Sequence, residues 1–259
     1  MPVTEAPPDK IVINRQRLTP RVWHFSFLLL RNNIRAFATF AAELRSQGSN
    51  TSIRVLDVGC GNKPWRPLLQ KLLQQDSNLE YYGTDFSINA SEPDALSLAD
   101  ALPFPDNCFD AVILSEVLEH CPFPAQVIQE CRRVLKPGSL VFASTPFVFY
   151  EHGVPYDFQR PTRFFYRTHF VGDEIILLSP SNSTYSTAIT TLNLAIETTP
   201  LRLLPVFPGV VYSITNCMAL GIDFLVRAIG PRIMRTWQDV FFSMPLGFAT
   251  VLRIRKKSQ

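Results

Sequence analysis

The stretch Val55–Trp65, VLDVGCGNKPW, decides the fold. It joins an apolar run to an acid, two glycines one residue apart and a proline. The run beginning at Ile53 reads as a buried strand, because it is short, apolar and bounded by turn residues. Asp57 then falls near the carboxyl end of that strand, where open α/β sheets bind ligands. Gly59 and Gly61 have no Cβ, so the chain can turn sharply there and pass close to a ligand. Taken alone, a G-x-G fits a dinucleotide site, a nucleoside site or a tight turn.

Outward from this strand, short apolar runs alternate with helical patterns from Ile53 to Phe147, the order of a parallel sheet covered by helices. "RPLLQKLLQQ" predicts a helix, "LEYYGTD" a second strand, "ALSLAD" a short third and "FDAVILSE" a fourth. A helix over "PAQVIQECRRVL" and the turn "LKPGS" lead to a fifth strand, "LVFASTPF". Upstream, Thr19–Arg45 has helical periodicity, with Thr19 as N-cap, Pro20 in the first turn and a Trp/Phe stripe that reads as core. Residues 1–17 read as a loose Pro-rich arm. Downstream, "EIILLS" reads as a strand, residues 183–240 as an apolar helical insert, and about 247–255 as a final strand. The implied division is an arm and helix over 1–48 and one α/β domain over 49–259.

Composition narrows the partners. With 46% hydrophobic and 18% charged residues the chain is globular, and a net charge of +3 is too small to argue for nucleic acid. The balance is uneven: residues 200–259 hold 8 Lys/Arg against 2 Asp/Glu, while residues 1–199 hold 17 against 20. Five cysteines without a C-x-x-C pair argue against a disulfide framework or zinc ribbon and for a reducing compartment. The N-terminal residues have no apolar core of signal-peptide length, so a cytoplasmic location is expected. Leu203–Ile222 carries no charge and is about long enough to span a bilayer. Pro205, Pro208, Gly209 and Asn216 fit a lipid-facing helix poorly, and a lid over the site is expected before peripheral membrane contact through 200–235, with a dimer contact as the third reading.

Two further acids sharpen the reading of the glycine turn. Asp85 ends the second strand, 24 residues after Gly61, where a carboxylate can accept ribose hydroxyls. Asp100 ends the third, where it can accept from an exocyclic adenine amine, with Leu102, Pro103 and Phe104 as an apolar wall. Any one of them can be a cap or a solvated turn residue; together they line one edge of the sheet.

"VLDVGCG", "YYGTD", "DALPFPDNCFDAVILSEVLEH" and "RVLKPGSLVFASTP" resemble the successive motifs of class I S-adenosylmethionine-dependent methyltransferases of the type 11 group. The resemblance implies a Rossmann-like, doubly wound seven-stranded sheet, mostly parallel with the last strand antiparallel, plus the N-terminal helix and the C-terminal helical insert. It implies S-adenosylmethionine as cofactor. Asp57, Gly59, Cys60 and Gly61 would hold its methionine end, Asp85 with Phe86 the ribose, and Asp100 with Ala101 the adenine. Ser115 and Glu116 would border the methyl group. Lys63 stands where the family often has a third glycine. A nicotinamide cofactor would need a glycine at Pro64 for its pyrophosphate to meet the helix N-terminus.

Methyl transfer from a sulfonium is a direct displacement that needs alignment, and a hydroxyl acceptor gains from a general base. His120, beyond the fourth strand, and the loop "EHGVPYDFQRPT" supply candidates: His120, His152 and Asp157. An Asp157–Arg160 pair that merely orders the loop is the competing reading. No His/Asp/Glu spacing identifies a metal site, and none is expected. The pattern H-x-x-P-x-D-F-x-R-x-T, His152–Thr162, resembles type 11 relatives of surface-glycan biosynthesis. The expected activity is therefore O-methylation of a glycan or small-molecule hydroxyl, with a lipid or quinone-like acceptor as the alternative. A non-catalytic scaffold and an oxidoreductase are the rivals from other classes.

Overall fold

A computed structural model describes residues 18–47, 52–73, 78–87, 93–233 and 242–255, with the side chains of 229–233 left undescribed. The expected loose arm over 1–17 and residues 234–240 of the expected insert lie outside these residues.

The elements run α1 (Phe27–Ser46), β1 (Ile53–Val58), α2 (Trp65–Leu72), β2 (Leu79–Asp85), β3 (Ala95–Leu96), β4 (Phe109–Ser115), α3 (Pro124–Val134) and β5 (Leu135–Pro146). They continue with α4 (Arg163–His169), β6 (Glu174–Pro180), α5 (Thr184–Glu197), α6 (Phe207–Ile233) and β7 (Gly247–Arg253). One seven-stranded sheet has the order β3-β2-β1-β4-β5-β7-β6. The first five neighbours are parallel, and β7 slots between β5 and β6, antiparallel to both. This is the doubly wound Rossmann-like sheet that the motif order implies, its last strand antiparallel.

Both faces of the sheet are covered, which is why its strands read as continuous apolar runs. Alternate residues serve opposite cores: Val55, Ile113, Phe142 and Val251 pack toward α1 and α2, whereas Leu56, Val112, Val141 and Leu252 pack toward α3 and α4. On the first face Phe37 stacks on Trp65 at 4.4 Å and meets Phe142 edge-on at 5.2 Å. The aromatic stripe of α1, Phe27, Phe37 and Phe40, is thus core, while Trp23 lies outside the helix and is exposed.

Three sequence expectations need correction. The turn expected at "LKPGS" is instead the first part of β5. The helix expected from Thr19–Pro20 begins at Phe27. The Asn216 amide donates to the Val22 and His24 carbonyls (2.7 and 3.0 Å) and pins the segment before the helix. The third strand shrinks from "ALSLAD" to Ala95–Leu96.

Candidate active site

The carboxyl ends of β1, β2 and β4 lie side by side at one edge of the sheet, where the strand order reverses and open α/β sheets form their ligand crevice. Gly59 has φ 68°, and a Cβ on it would lie 2.7 Å from Val117 Cγ2, so the turn after β1 needs glycine for both conformation and space. The Gly61 amide donates to Asp85 Oδ2 at 3.0 Å, and the Ser87 amide to Oδ1 at 3.3 Å. Asp85 therefore ties the glycine turn to the tip of β2.

Lys63 resolves the missing glycine. It adopts the left-handed backbone itself, φ 50°, at a strain of roughly 1–2 kcal/mol for a residue with a Cβ. Its stem passes over Gly83, where a Cβ would sit 2.7 Å from both Lys63 Cε and Cys60 Sγ. Its ammonium reaches Asp94 at 2.8 Å, and Asp94 also accepts the Gly83 amide at 2.6 Å. Gly83 and Asp94 were missed in the sequence; the glycine inside an otherwise apolar strand was the available signal.

The other predicted cofactor residues are graded in depth. Asp57 is 2% exposed and accepts the Tyr81 hydroxyl at 2.6 Å, so its carboxylate braces the floor of the crevice. Burial, and then Asp57, push the Tyr81 phenol well above its ordinary range. The Cys60 thiol is also buried, and burial first, then the neighbouring acids, push it up to about 12. It stays protonated, and its backbone amide continues the β1–β2 ladder by donating to Thr84. Asp100, Ala101 and Phe86 are exposed at the rim, Phe86 within 6.0 Å of the Tyr156 ring.

Beyond β4, Glu116 holds a left-handed backbone, φ 56°. A non-glycine residue there marks stored strain, which concentrates at functional sites. Its Oε1 accepts from Ser144 Oγ at 2.7 Å and Asn33 Nδ2 at 3.1 Å, while Ser115 Oγ lies 3.1 Å from Ser144 Oγ. Asn33 brings α1 into the site. It too was missed, although two adjacent asparagines on an apolar helix were the signal. Asn32 is bonded to Ser179 on β6.

The two predicted histidines meet. Gln159 donates to the Leu118 and Cys121 carbonyls (2.8 and 2.9 Å), clamping the loop after β5 onto the short turn Leu118–His120. The rings of His120 and His152 then face each other edge-on, centroids 4.8 Å apart. His120 Nδ1 is 2.5 Å from the Tyr156 carbonyl. His152 Nδ1 is 3.2 Å from the Tyr150 carbonyl and 3.4 Å from Asp157. Burial holds the His120 imidazole below its ordinary value, which keeps it neutral at neutral pH. Glu119, which the sequence reading passed over, is wholly buried with a carboxylate oxygen 3.8 Å from His120 Nε2. Glu119, His120 and His152 each place a ligand atom within 4.8 Å of the others.

Asp157 is corrected from a candidate base to a positioning residue. Its side chain is 4% exposed and paired with Arg160 through both carboxylate oxygens, and it accepts the His152 amide at 2.9 Å. The Arg160 guanidinium, and less the His152 amide, hold its carboxyl down at about 2. A carboxylate so stabilised is a poor proton acceptor.

The helical insert borders this loop. Phe25 lies between Tyr212 of α6 and the Phe149–Tyr150 pair, with centroids 6.1–6.4 Å apart. Phe207–Ala228 is long and apolar enough, by length and composition, to cross a membrane, with 28% of its most apolar stretch buried. Its polar residues are nonetheless anchored in the fold: Asn216 to the segment before α1, and Asp223 to the Ser183 amide (2.9 Å) and the Ser186 hydroxyl.

Residues 56–143 match the type 11 family described as "Methyltransferase domain". A ubiquinone biosynthesis O-methyltransferase of Xanthomonas oryzae pv. oryzae is 33% identical over 102 residues, 36% of this chain and 42% of that protein. A demethylmenaquinone methyltransferase of Bacillus mycoides is 35% identical over 102 residues, 34% of this chain and 42% of that protein. The chain spans about two fifths of the length of these curated relatives. A Galdieria sulphuraria structure described as a sarcosine dimethylglycine methyltransferase shares the fold, with TM-score 0.52 and 14% identity over 87% of this chain and 86% of that one.

Proposed function

From the class I, type 11 S-adenosylmethionine-dependent methyltransferase domain at residues 56–143, we propose that the whole chain transfers a methyl group to a hydroxyl of an apolar, quinone-like acceptor. The observation that carries the transfer is the tie between the Gly61 amide and Asp85, which presents the β2 carboxylate beside the turn after β1. S-Adenosylmethionine supplies an activated methyl when bound. Asp85 with the rim residues Phe86 and Asp100 would take its nucleoside, and Glu116 with Ser115 the methionine side. The acceptor oxygen would form the new C–O bond as the electron pair of the S–CH3 bond returns to sulfur, its proton passing to water on the side of the His120–His152 pair.

The acceptor class rests on the lining beyond β5. Phe25, Phe149, Tyr150 and Tyr156 are aromatic, and the names of the similar relatives concern ubiquinone and demethylmenaquinone. Nothing comparable favours a glycan. The pattern His152–Thr162 that prompted that expectation has a structural account: Asp157 and Arg160 order the loop and aim His152.

A second reading follows from α6: the insert rests on an anionic membrane surface. Val206, Val210, Ile214 and Met218 form an exposed stripe at four-residue spacing, with Arg202 and Arg227 exposed near its ends. A lipid-soluble acceptor gives such contact a use.

The test begins with calorimetry in EDTA. S-Adenosylhomocysteine should bind and NAD should not, and absence of the first overturns the methyltransferase reading. Methyl-labelled cofactor is then offered to an alkyl-catechol and to separated lipid and glycan extracts. Label in the catechol and lipid fractions is expected; label confined to glycan overturns the acceptor class alone.

A further inference from the structure

We propose that Glu119, His120 and His152 form a site for one divalent first-row transition-metal ion, which binds the acceptor oxygen; this deepens the reading of the chain as an O-methyltransferase. The three ligand atoms lie within 4.8 Å of one another, although a helix, a strand and a loop separate His152 from the other two. Neighbouring ligands of a tetrahedral ion stand about 3.4 Å apart at metal–ligand distances near 2.1 Å. Side-chain adjustments of about an ångström would therefore close the cluster on one ion.

The second observation is how each imidazole is held. A carbonyl oxygen only accepts, so His120 Nδ1, 2.5 Å from the Tyr156 carbonyl, carries the proton and leaves the Nε2 lone pair facing Glu119, 3.8 Å away. His152 Nδ1 has two acceptors, the Tyr150 carbonyl and Asp157 Oδ2, so its Nε2 is the unprotonated nitrogen as well. Metal-binding histidines are held in this way: the far N–H donates to a carbonyl or carboxylate that fixes tautomer and ring orientation. The Asp157–Arg160 pair fits the same scheme, since it fixes the acceptor behind His152.

Two imidazoles and one carboxylate select a borderline ion such as Mn2+, Co2+ or Zn2+ over Mg2+ or Ca2+, which take oxygen ligands. Three protein ligands also leave coordination positions open for the hydroxyl of a catechol-like acceptor. Bound there, the hydroxyl loses its proton to water at lower pH than in solution. Its remaining lone pair then attacks the methyl carbon as the S–C pair passes to sulfur.

The test uses the full chain, stripped with chelator and titrated with Co2+. One equivalent should produce visible d–d absorption, and Zn2+ should abolish it by displacement. His120→Ala and His152→Ala should each weaken Co2+ binding by about tenfold or more, and Asp157→Asn by about tenfold without removing it. Circular dichroism confirms that each variant is folded. No absorption in the wild type, or wild-type affinity in both histidine variants, overturns the site. Calorimetry with S-adenosylhomocysteine in EDTA separates the two claims. Co2+ binding without nucleoside binding leaves the ion site standing and removes the methyltransferase reading, and the reverse result removes only the site. Catechol methylation should be lost in EDTA and restored by Mn2+.

Discussion

The rim proposed for the cofactor, from Asp57 to Asp100, and the side proposed for the acceptor, from Glu116 to Thr162, are assembled differently. At the rim, backbone geometry does most of the work. Left-handed turns at Gly59, Gly61 and Lys63 bring the Gly61 amide onto the Asp85 carboxylate, and the parts lie on adjacent strands of one sheet. On the acceptor side, side chains bridge long sequence distances: Asn33 to Glu116, Gln159 to the Leu118 carbonyl, and His152 against His120. A pre-set backbone suits a cofactor of fixed shape. A side-chain network can be rebuilt around different acceptors without disturbing the sheet.

If the halves are this separable, damage to one should spare the other. The largest expected effect is on the acceptor side. Arg160→Ala strands the Asp157 carboxylate, 4% exposed, without its counter-charge, a loss of about 3–5 kcal/mol for a broken buried pair. Urea unfolding should show that loss, while S-adenosylhomocysteine affinity, measured where the variant is folded, stays unchanged. A parallel fall in affinity breaks the comparison.

Asp85→Ala is the converse. Removing a charged acceptor of this kind is worth about 1.5–3 kcal/mol, so cofactor affinity should fall by about 100-fold. Stability should change far less, because Asp85 is only half-buried. Calorimetry and thermal melts on the same sample decide it.

Acid titration tests the Asp157 pair without mutation. Its folded carboxyl sits at about 2, below an ordinary 3.8, so the folded state binds that proton less readily than the unfolded one. The resulting stabilisation, about 2 kcal/mol, is complete above pH about 4 and is lost as the pH falls toward 2. Asp157→Asn should flatten that segment of the stability–pH curve.

Gly59→Ala should lower stability by about 1–2 kcal/mol for the left-handed turn alone, and more if Val117 cannot move away from the new Cβ. It should also weaken cofactor binding, since the strain falls on the rim. The smallest stability effect belongs to α6: Ile214→Ser, at an exposed position, should stay within about 0.5 kcal/mol. Flotation with anionic liposomes should nevertheless drop, and unchanged flotation removes the membrane reading.

The rim was the legible half because its signals are local. A glycine turn after a strand and an acid at the next strand end are both contiguous patterns. Two local patterns misled. Thr19–Pro20 looks like a helix start, yet the distant Asn216 pins the Val22 and His24 carbonyls of that segment. Asp157 looks like a base among bases, yet Arg160, only three residues on, neutralises it, which spacing alone left open.

The sequence by itself determined the alternation of strands and helices and the glycine turn after β1, because apolar periodicity and glycine conformation act over a few residues; the seven-stranded sheet with its antiparallel last strand came from the resemblance of the motifs. Only the tertiary structure decided that Glu119, His120 and His152 converge, that Asn33 reaches Glu116, and that α6 leaves an apolar stripe exposed. Those outcomes depend on how a loop after β5 packs on a turn after β4, and on which helix face the core consumes. Both are set by packing between segments far apart in the chain.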